Sequence, residues 1–242
     1  MRTERGRCPP APPASLCGSL DTTEFAPGES EPWVRIYWRG KDPLGFAIAA
    51  RGNRFDPLAS PWAATKVLYA GEKLPTAVAE TVLRWHALVE PGEPVSLSES
   101  AHLRDRKVAR FKSTRPLRLI DASGLAMAKV EEVVSEVARL PQNALWKEPP
   151  KPIAEDIFQC DASEYATTQQ WCAWFRSQHP TADGLTWISR HLNHGRCVVL
   201  FDDRCEKELA LVGRPVPLYE HGSQERRTVD QMVGQLGWGI EA

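Results

Sequence analysis

GNRFDPLASPWAATKVLYAGEKLPTAVAETVL, the stretch from Gly52 to Leu83, decides how the rest of the chain is organised. Its central run, Val67 to Ala70, is short and apolar and is closed by a glycine, which predicts a buried strand. A helix is predicted to follow, because Pro75 lies where a first turn tolerates proline, whose missing N–H costs nothing there. The stretch therefore holds a loop, a strand and a helix in close succession.

Three polar residues of this stretch are candidates for a binding site: Arg54 in a Gly-led turn, Tyr69 near the strand end, and Glu80 one turn inside the helix. Small side chains flank Glu80 and leave room beside its carboxylate, so the three groups could converge on one pocket. A simpler interpretation makes Glu80 the partner of Arg84 in an exposed ion pair worth about 0.3–0.5 kcal/mol. In that interpretation Tyr69 is a half-buried core residue.

On the N-terminal side, the composition divides the chain into a tail and one domain. Residues 1–31 are rich in Pro, then in Gly, Ser and Glu, which predicts a flexible tail. A folded domain is predicted over residues 32–242. It begins with the β-rich run from Trp33 to Trp38, in which Arg35 and Tyr37 share one face. Arg35 is then half of an anion site or a solvated strand-edge residue.

On the C-terminal side, strands and helices follow one another without a regular βαβ alternation, which predicts an α+β fold with a mixed sheet. Ser189 follows one of these strands directly, where it either serves a site or caps a turn. The predicted elements are the helix from Pro75 to about Val89, strands at 108–113 and 117–123 paired as an antiparallel hairpin, a helix from about Ala126 to Leu140, a connector at 141–160, a helix from Thr167 to Gln178 with a core stripe of tryptophans, strands at 185–188, 197–201 and 209–212, and a helix from Thr228 to Leu236.

Charge and hydropathy exclude several classes of function. The chain has 242 residues, a net charge of -1 and a pI near 6.6, so nothing indicates binding to nucleic acid or to an anionic membrane. No apolar run approaches the roughly 18 residues of a membrane span. The N-terminus lacks the apolar centre of a signal peptide, which predicts a cytoplasmic protein.

The six cysteines are predicted to be reduced thiols, because the chain is long and no secretion signal is recognised. His191, His194, Cys197 and Cys205 are the nearest approach to a zinc site, but their spacing is irregular and no CxxC pair exists. No metal is therefore expected. The chain also lacks a P-loop, a GxGxxG turn, a GxSxG elbow and an HExxH helix.

Seven short blocks, taken in order, resemble the RES domain, a family named for an arginine, a glutamate and a serine. The resemblance covers roughly Trp33 to Asp202. The blocks are VRI at 34–36, GNRF at 52–55, VLYA at 67–70, AVAET at 77–81, LRLID at 117–121, GLTWISR at 184–190 and VVLF at 198–201. Each block is weak alone, and their joint order carries the resemblance.

The resemblance implies a fold similar to the diphtheria-toxin-like ADP-ribosyltransferases and the role of a toxin that degrades NAD. The nicotinamide–ribose bond would break by phosphorolysis, giving nicotinamide and ADP-ribose 1''-phosphate, or by hydrolysis. Transfer of ADP-ribose to a protein is one alternative, and a non-catalytic domain that binds a nucleotide or a partner is another. NAD would be a substrate, with phosphate as an optional second substrate, and no cofactor is implied.

The resemblance also implies a partner, an Xre-type helix-turn-helix antitoxin. It allows a homodimer within the toxin–antitoxin complex, and the chain has no DNA-reading element of its own.

Carried over by position, the resemblance implies catalytic roles for Glu80, Arg35 and Ser189, and NAD binding by Arg35, Arg54, Tyr69 and Ser189. These residue types suit the chemistry. A fixed carboxylate stabilises a ribosyl cation, and the planar fork of arginine binds two pyrophosphate oxygens. A tyrosine ring can stack on nicotinamide, and a serine can orient the carboxylate or the ribose.

The sequence departs from the family pattern at Asp56, where asparagine is more usual. This substitution is expected to bring a negative charge near the pyrophosphate site. The chain also has a longer tail and a longer connector at 141–160.

Overall fold

The structure, a computed structural model, describes residues 8–26, 31–47, 53–56, 64–83, 96–141, 143, 153–160, 162–192 and 194–241. Within them the chain forms eleven β-strands and six α-helices. The strands are β1 (Thr22–Phe25), β2 (Trp33–Trp38), β3 (Val67–Gly71), β4 (Ser96–Ser98), β5 (Arg106–Ser113), β6 (Leu117–Ala122), β7 (Gly184–Ile188), β8 (Arg196–Phe201), β9 (Leu209–Leu211), β10 (Val216–Pro217) and β11 (Gly239–Glu241). The helices are α1 (Leu74–Thr81), α2 (Met127–Arg139), α3 (Ala154–Gln159), α4 (Tyr165–Gln178), α5 (Asp202–Cys205) and α6 (Gln224–Gln235).

Nine of these strands form one mixed sheet in the order β1-β6-β7-β8-β3-β2-β5-β10, with β9 also paired to β5. The β6–β7 pair is parallel, and the other pairs of this sheet are antiparallel. Strands β4 and β11 form a separate parallel pair. The prediction of an α+β protein with a mixed sheet is therefore confirmed.

Alternate side chains of β3 enter two different parts of the core, as the period of two in a strand requires. Val67 belongs to the cluster that packs β3, β7 and β8 against α2, α3 and α4. Leu68 belongs to a second cluster on the opposite face. Trp171 and Phe175 of α4 are buried in the first cluster, which confirms that the tryptophan stripe is core. Because β3 lies between β8 and β2, the strand of the Gly52–Leu83 stretch lies in the interior of the main sheet.

Helices α1 and α6 pack together against β2 and β5. Val78 of α1 and Val229 of α6 are buried with Val34 of β2 in a third cluster. The predicted helix from Pro75 is thus present, but it ends at Thr81, with Val82 as its C-cap, and not near Val89 as predicted. Residues 84–95, which include the last part of the predicted helix and the alternative partner Arg84, lie outside the described residues.

The predicted hairpin between the strands near residues 108 and 117 is wrong. Both strands exist, but β5 pairs with β2, β9 and β10, whereas β6 pairs with β1 and β7. A charge pair explains the separation. In the connection between them, Arg115 donates to Asp183 through Nη2–Oδ1 at 2.6 Å and Nη1–Oδ2 at 2.9 Å. Asp183 precedes β7, so this bidentate contact holds the start of β6 beside β7.

The predicted flexible tail over residues 1–31 is wrong for residues 8–26, which pack onto the domain. Strand β1 pairs antiparallel with β6 and becomes an edge of the main sheet. The Trp171 indole donates to the Pro9 carbonyl at 2.8 Å, and Cys8 is buried. A proline-rich segment lacks backbone donors but keeps its carbonyls, so donors on α4 can bind it.

Two further differences are local. The connector predicted at 141–160 contains α3, because Ile157 and Phe158 reach the core. The last helix begins at Gln224, earlier than predicted, because the Ser223 hydroxyl accepts a hydrogen bond from the Arg226 N–H and caps its start.

Candidate active site

A cavity of about 650 Å³ lies where the main sheet splits between β2 and β3. Strand β2 pairs along its full length with β5, and β3 pairs along its full length with β8. The two strands pair with each other only at Val34 and Gly71 within the described chain. Beyond that pair they separate, and residues of both strands line the cavity.

The structure brings the five predicted site residues together at this cavity. Arg35, Arg54, Tyr69 and Glu80 line it. Ser189 is 1% exposed, and its hydroxyl donates to Glu80 Oε1 at 2.7 Å. Five side chains spread over most of the domain thus surround one space.

The fold brings Ser189 to Glu80 through a tight loop before β8. The Ser189 N–H donates to the Gly195 carbonyl at 3.0 Å, which folds the loop back on itself. Gly195 has φ +77°, and a Cβ there would lie 2.3 Å from Thr76 Oγ1 on α1. Only glycine allows this approach, so Gly195 fixes the loop against the helix that carries Glu80.

The Glu80 carboxylate is oriented on one side and free on the other. Ser189 binds Oε1, while Oε2 accepts no hydrogen bond from the described residues. Cys197 also lines the cavity, but burial, with the Glu80 charge as a second cause, raises the pKa of its thiol well above the ordinary value. Cys197 is therefore a neutral thiol, and Glu80 is the anion at this end of the cavity.

Arg54 is held rigidly from behind by α3 and α4. Its guanidinium is buried and donates to the carbonyls of Phe158 at 2.5 Å and Cys160 at 3.0 Å. Its own carbonyl accepts the Thr168 hydroxyl at 2.6 Å. The Arg54 turn is therefore fixed by contacts more than 100 residues away in sequence.

Arg190 joins Arg54 at the same carbonyl. Its Nη1 donates to Gln159 O at 2.8 Å and to Cys160 O at 2.7 Å. Burial, and then the nearby Arg54 charge, lower the pKa of Arg190 to about 10. Two guanidinium groups that share one carbonyl repel each other, so an anion beside them would be stabilised by both.

Arg35 presents its charge from β2. Its Nη1 donates to Pro43 O at 3.2 Å, and its guanidinium carbon lies 6.0 Å from the Tyr37 ring centre. Burial lowers the pKa of Arg35 to about 10, opposed by the Asp42 charge. Its Nε and Nη2 groups donate to no acceptor in the described chain, so they are available to a ligand.

Tyr69 contributes its ring to the cavity, whereas its hydroxyl is used in the fold. The hydroxyl donates to Asp56 Oδ1 at 2.9 Å and accepts the Phe55 N–H at 3.0 Å. Burial, and then the Asp56 charge, raises the pKa of Tyr69 well above its ordinary value. Asp56 also accepts the Asn53 N–H and is fully buried. Asp56 is not among the residues that line the cavity, and its carboxylate binds Tyr69 and Asn53 behind it.

Sequence reasoning missed several residues of the cavity: Arg190, His191, Trp187, Lys41 and Arg106. Arg190 and His191 directly follow Ser189, and that adjacency was the signal that could have found them. Lys41 and Arg106 gave no such signal, because Arg106 comes beside the end of β2 only through the pairing of β2 with β5.

The wall that contains Ser189 separates two spaces. A second cavity of about 340 Å³ shares Trp187 and Arg190 with the first and is also lined by Ser189, whose hydroxyl reaches Glu80 in the first. Its other polar lining residues include Ser123 and Glu155. Ser189 therefore stands between both cavities.

The described part of the chain contains no group of three or more His, Cys, Asp and Glu side chains that could hold a metal. All six cysteines are free thiols. Among the described helices, none has the length and apolar character needed to cross a membrane.

Comparison with known proteins assigns a family to this arrangement. No curated protein matches the chain. A chain in the crystal structure of the M. tuberculosis MbcT-MbcA toxin-antitoxin complex is similar over 81% of this chain and 86% of that chain, at 17% identity and a TM-score of 0.47. The family model of the RES domain matches residues 32–220. Because this match spans most of the 242 residues, the chain belongs to the RES domain family.

Proposed function

We propose that this protein breaks the nicotinamide–ribose bond of NAD and acts as the toxin of a toxin–antitoxin pair. The observation that carries the proposal is the hydrogen bond from Ser189 to Glu80 at a cavity lined by arginines. Membership of the RES domain family supports the same reading, because the family is named for these three residue types.

The negative charge of the Glu80 carboxylate suits this bond cleavage. The pyridinium leaves as neutral nicotinamide with the bonding electrons, so no acid is needed and positive charge develops on the ribose. A fixed carboxylate stabilises that charge. Ser189 holds Oε1, and Oε2 remains for the ribose. An oxygen of phosphate or of water then bonds to the ribose carbon, and water loses a proton to the solvent as it does so.

The arginines suit the pyrophosphate. Arg54 and Arg190 are fixed by backbone carbonyls, so their position costs no ordering when a substrate binds. Arg35 faces the same cavity from β2 with donors to spare. The Tyr69 ring lines the same cavity, 6.5 Å from the Trp187 ring centre, and it offers a surface for stacking on a flat ring.

The proposed partner is a helix-turn-helix antitoxin of the Xre type, in line with the RES family to which the chain belongs. In this proposal the antitoxin blocks the cavity or its opening until it is degraded. Expression of the chain alone should then arrest growth, and expression with its antitoxin should not.

The test is release of nicotinamide from NAD by the purified protein, freed of any partner, with and without phosphate. Glu80→Gln should lower kcat/KM by about 100-fold or more, since it removes the charge that stabilises the transition state. The matched control is Glu136→Gln on the exposed face of α2, which should leave kcat/KM unchanged. A Glu80→Gln protein that cleaves NAD at the wild-type rate contradicts the proposal.

The products separate the three reactions that the cavity allows. ADP-ribose 1''-phosphate that forms only with phosphate indicates phosphorolysis, and ADP-ribose indicates hydrolysis. Labelled NAD that leaves stable label on a protein indicates transfer. Binding of NAD without any cleavage indicates a non-catalytic domain and overturns the enzymatic proposal.

A further inference from the structure

The cavity has a second positive cluster, far from Glu80, at the end of β2. We call it the far end and define it by Trp38, Lys41 and Arg106. The Arg106 guanidinium carbon lies 4.1 Å from the centre of the Trp38 ring, and Trp38 is 45% exposed. Lys41 is exposed and directly follows the turn at Arg39 and Gly40, which begins where β2 ends.

Strand register fixes the distance between the far end and the catalytic end. Gly71 is level with Cys197, and Cys197 is level with Trp187, so Ser189 lies two residues beyond that level. Gly71 also pairs with Val34, and Trp38 lies four residues away in the other direction. At about 3.3 Å per residue, Ser189 and Trp38 are separated by roughly 20 Å along the strands.

The charge of the cavity exceeds what NAD supplies. Its lining contains five cationic side chains and two carboxylates, Asp42 and Glu80. NAD carries a net charge of about -1 near pH 7, whereas NADP carries about -3, because its 2′-phosphate has a second pKa near 6. The cationic side chains are Arg35, Lys41, Arg54, Arg106 and Arg190.

We propose that the far end binds the 2′-phosphate of NADP, so that NADP is a substrate at least as good as NAD. This inference rests on the proposed function, which places the nicotinamide ribose at Glu80 and hence the adenosine at the far end. Lys41 donates to the phosphate, Arg106 adds its charge, and the Trp38–Arg106 stack offers a flat surface to the adenine.

Two other ligands offer alternative explanations for the positive charge at the far end. Asp42 could accept the 2′-hydroxyl of NAD through Oδ2, since its Oδ1 accepts the Leu44 N–H at 2.9 Å, and a preference for NAD over NADP would indicate that role. Free phosphate acting as second substrate must reach the ribose carbon beside Glu80, roughly 20 Å from the far end along the strands. A phosphate carried on the adenosine is the anion that fits the position.

The first test compares nicotinamide release from NAD and NADP at equal ionic strength. Wild-type kcat/KM for NADP should equal or exceed that for NAD, and a lower value overturns the proposal. Lys41→Gln should lower the NADP-to-NAD ratio of kcat/KM about tenfold, the loss expected for one charge-assisted hydrogen bond. An unchanged ratio overturns the assignment to the far end. Lys207→Gln, an exposed lysine outside the cavity, is the matched control.

A binding measurement keeps this inference separate from the proposed function. Calorimetry with 2′,5′-ADP and with 5′-AMP needs no catalysis, so it decides the inference even if neither dinucleotide is cleaved. The former should bind about tenfold more tightly, and Lys41→Gln should remove the difference. Equal affinities contradict a 2′-phosphate site. Tighter AMP binding in the presence of inorganic phosphate, without a preference for 2′,5′-ADP, also overturns it in favour of a free-phosphate site.

Discussion

A single hydroxyl determines how the carboxylate of Glu80 is presented to the cavity. Ser189 is almost fully buried and donates to Oε1, so the carboxylate cannot rotate freely. Its second oxygen has no partner among the described residues. The hydrogen bond to Oε1 thus also fixes the orientation of Oε2. A rigid supporting residue of this kind holds a catalytic group in its productive geometry.

Ser189→Ala should therefore act on the chemical step. A hydrogen bond to a charged group contributes about 1.5–3 kcal/mol, which corresponds to a fall in kcat of roughly 10- to 100-fold. KM for NAD should change by less than about threefold, because the arginines are untouched. Steady-state kinetics of nicotinamide release checks this split. The control is Ser177→Ala on α4, outside the cavity, and a change in KM alone would contradict the positioning role.

Arg35→Met should separate stability from activity. Burial lowers the pKa of Arg35, which means that the fold disfavours its charge relative to water. Methionine keeps the length and loses one hydrogen bond, to Pro43, so the free energy of unfolding should change by about 1 kcal/mol or less. Loss of contacts to pyrophosphate should lower kcat/KM about 100-fold.

Urea denaturation and nicotinamide release measure the two effects of Arg35→Met. Arg118→Met, an exposed arginine outside the cavity, should alter neither. Equal activity of Arg35→Met and the wild type would show that Arg35 does not contact the substrate.

At the scale of single residues, the sequence identified the candidate site residues but not the contacts that hold them. Arg54 was a candidate because of its turn, yet its position depends on carbonyls of α3, in a segment whose prolines predicted a connector. Asp56 was expected to disturb an anion site, and it is instead the acceptor for Tyr69. Such contacts join residues that no local pattern relates, and only the folded chain shows them.

The segment before β1 is the element whose behaviour differs most from its composition. Trp171 and Trp174 of α4 donate to the carbonyls of Pro9 and Leu16, at 2.8 and 3.0 Å. Leu20 and Cys8 are buried in the core cluster of α2 to α4. A segment whose composition is typical of disorder is therefore held in place by hydrogen-bond donors of α4.

Removal of residues 1–20 should destabilise the domain by about 3 kcal/mol or more, since it leaves two indole donors without partners and exposes apolar core. Trp171→Phe should cost about 1–2 kcal/mol by loss of the bond to Pro9. Urea unfolding followed by circular dichroism measures both values. Identical midpoints for the truncated and full chains would mean that the segment contributes nothing to the fold.

Strand existence could be predicted, whereas strand pairing could not. The apolar alternation at 117–122 identified β6. Its neighbours come from residues near 22 and near 185, and the sequence gives no local sign of either. Adjacent strands were assumed to form a hairpin because short connections are common. The Arg115–Asp183 pair overrides that tendency.

At the scale of the whole molecule, the main sheet of the described chain splits between β2 and β3, and the cavity lies in that split. Its cationic lining includes guanidinium groups whose pKa values burial has lowered, so the unliganded protein carries charges that a bound anion would stabilise. A ligand that spans the split also contacts both halves of the sheet. Binding should therefore raise the stability of the entire domain.

ADP-ribose at 100 times its dissociation constant should stabilise the fold by about 2.7 kcal/mol. For a chain of this size the melting temperature should rise by roughly 5–10 °C. Differential scanning fluorimetry measures the shift, and Arg35→Met should reduce it at the same ligand concentration. Absence of any shift up to the solubility limit of ADP-ribose would contradict binding in the split.

The sequence distance between Glu80 and Ser189 has a consequence for synthesis. The two residues are 109 positions apart, and a ribosome adds about 5–20 residues per second, so the carboxylate waits roughly 5 to 20 seconds for its partner. The contact of Cys8 takes longer to form, because its N–H donates to Glu164, which lies 156 positions further along the chain. Under the proposed function, a nascent chain and any product truncated before Ser189 lack the Ser189–Glu80 contact, so we expect them to be inactive toward NAD.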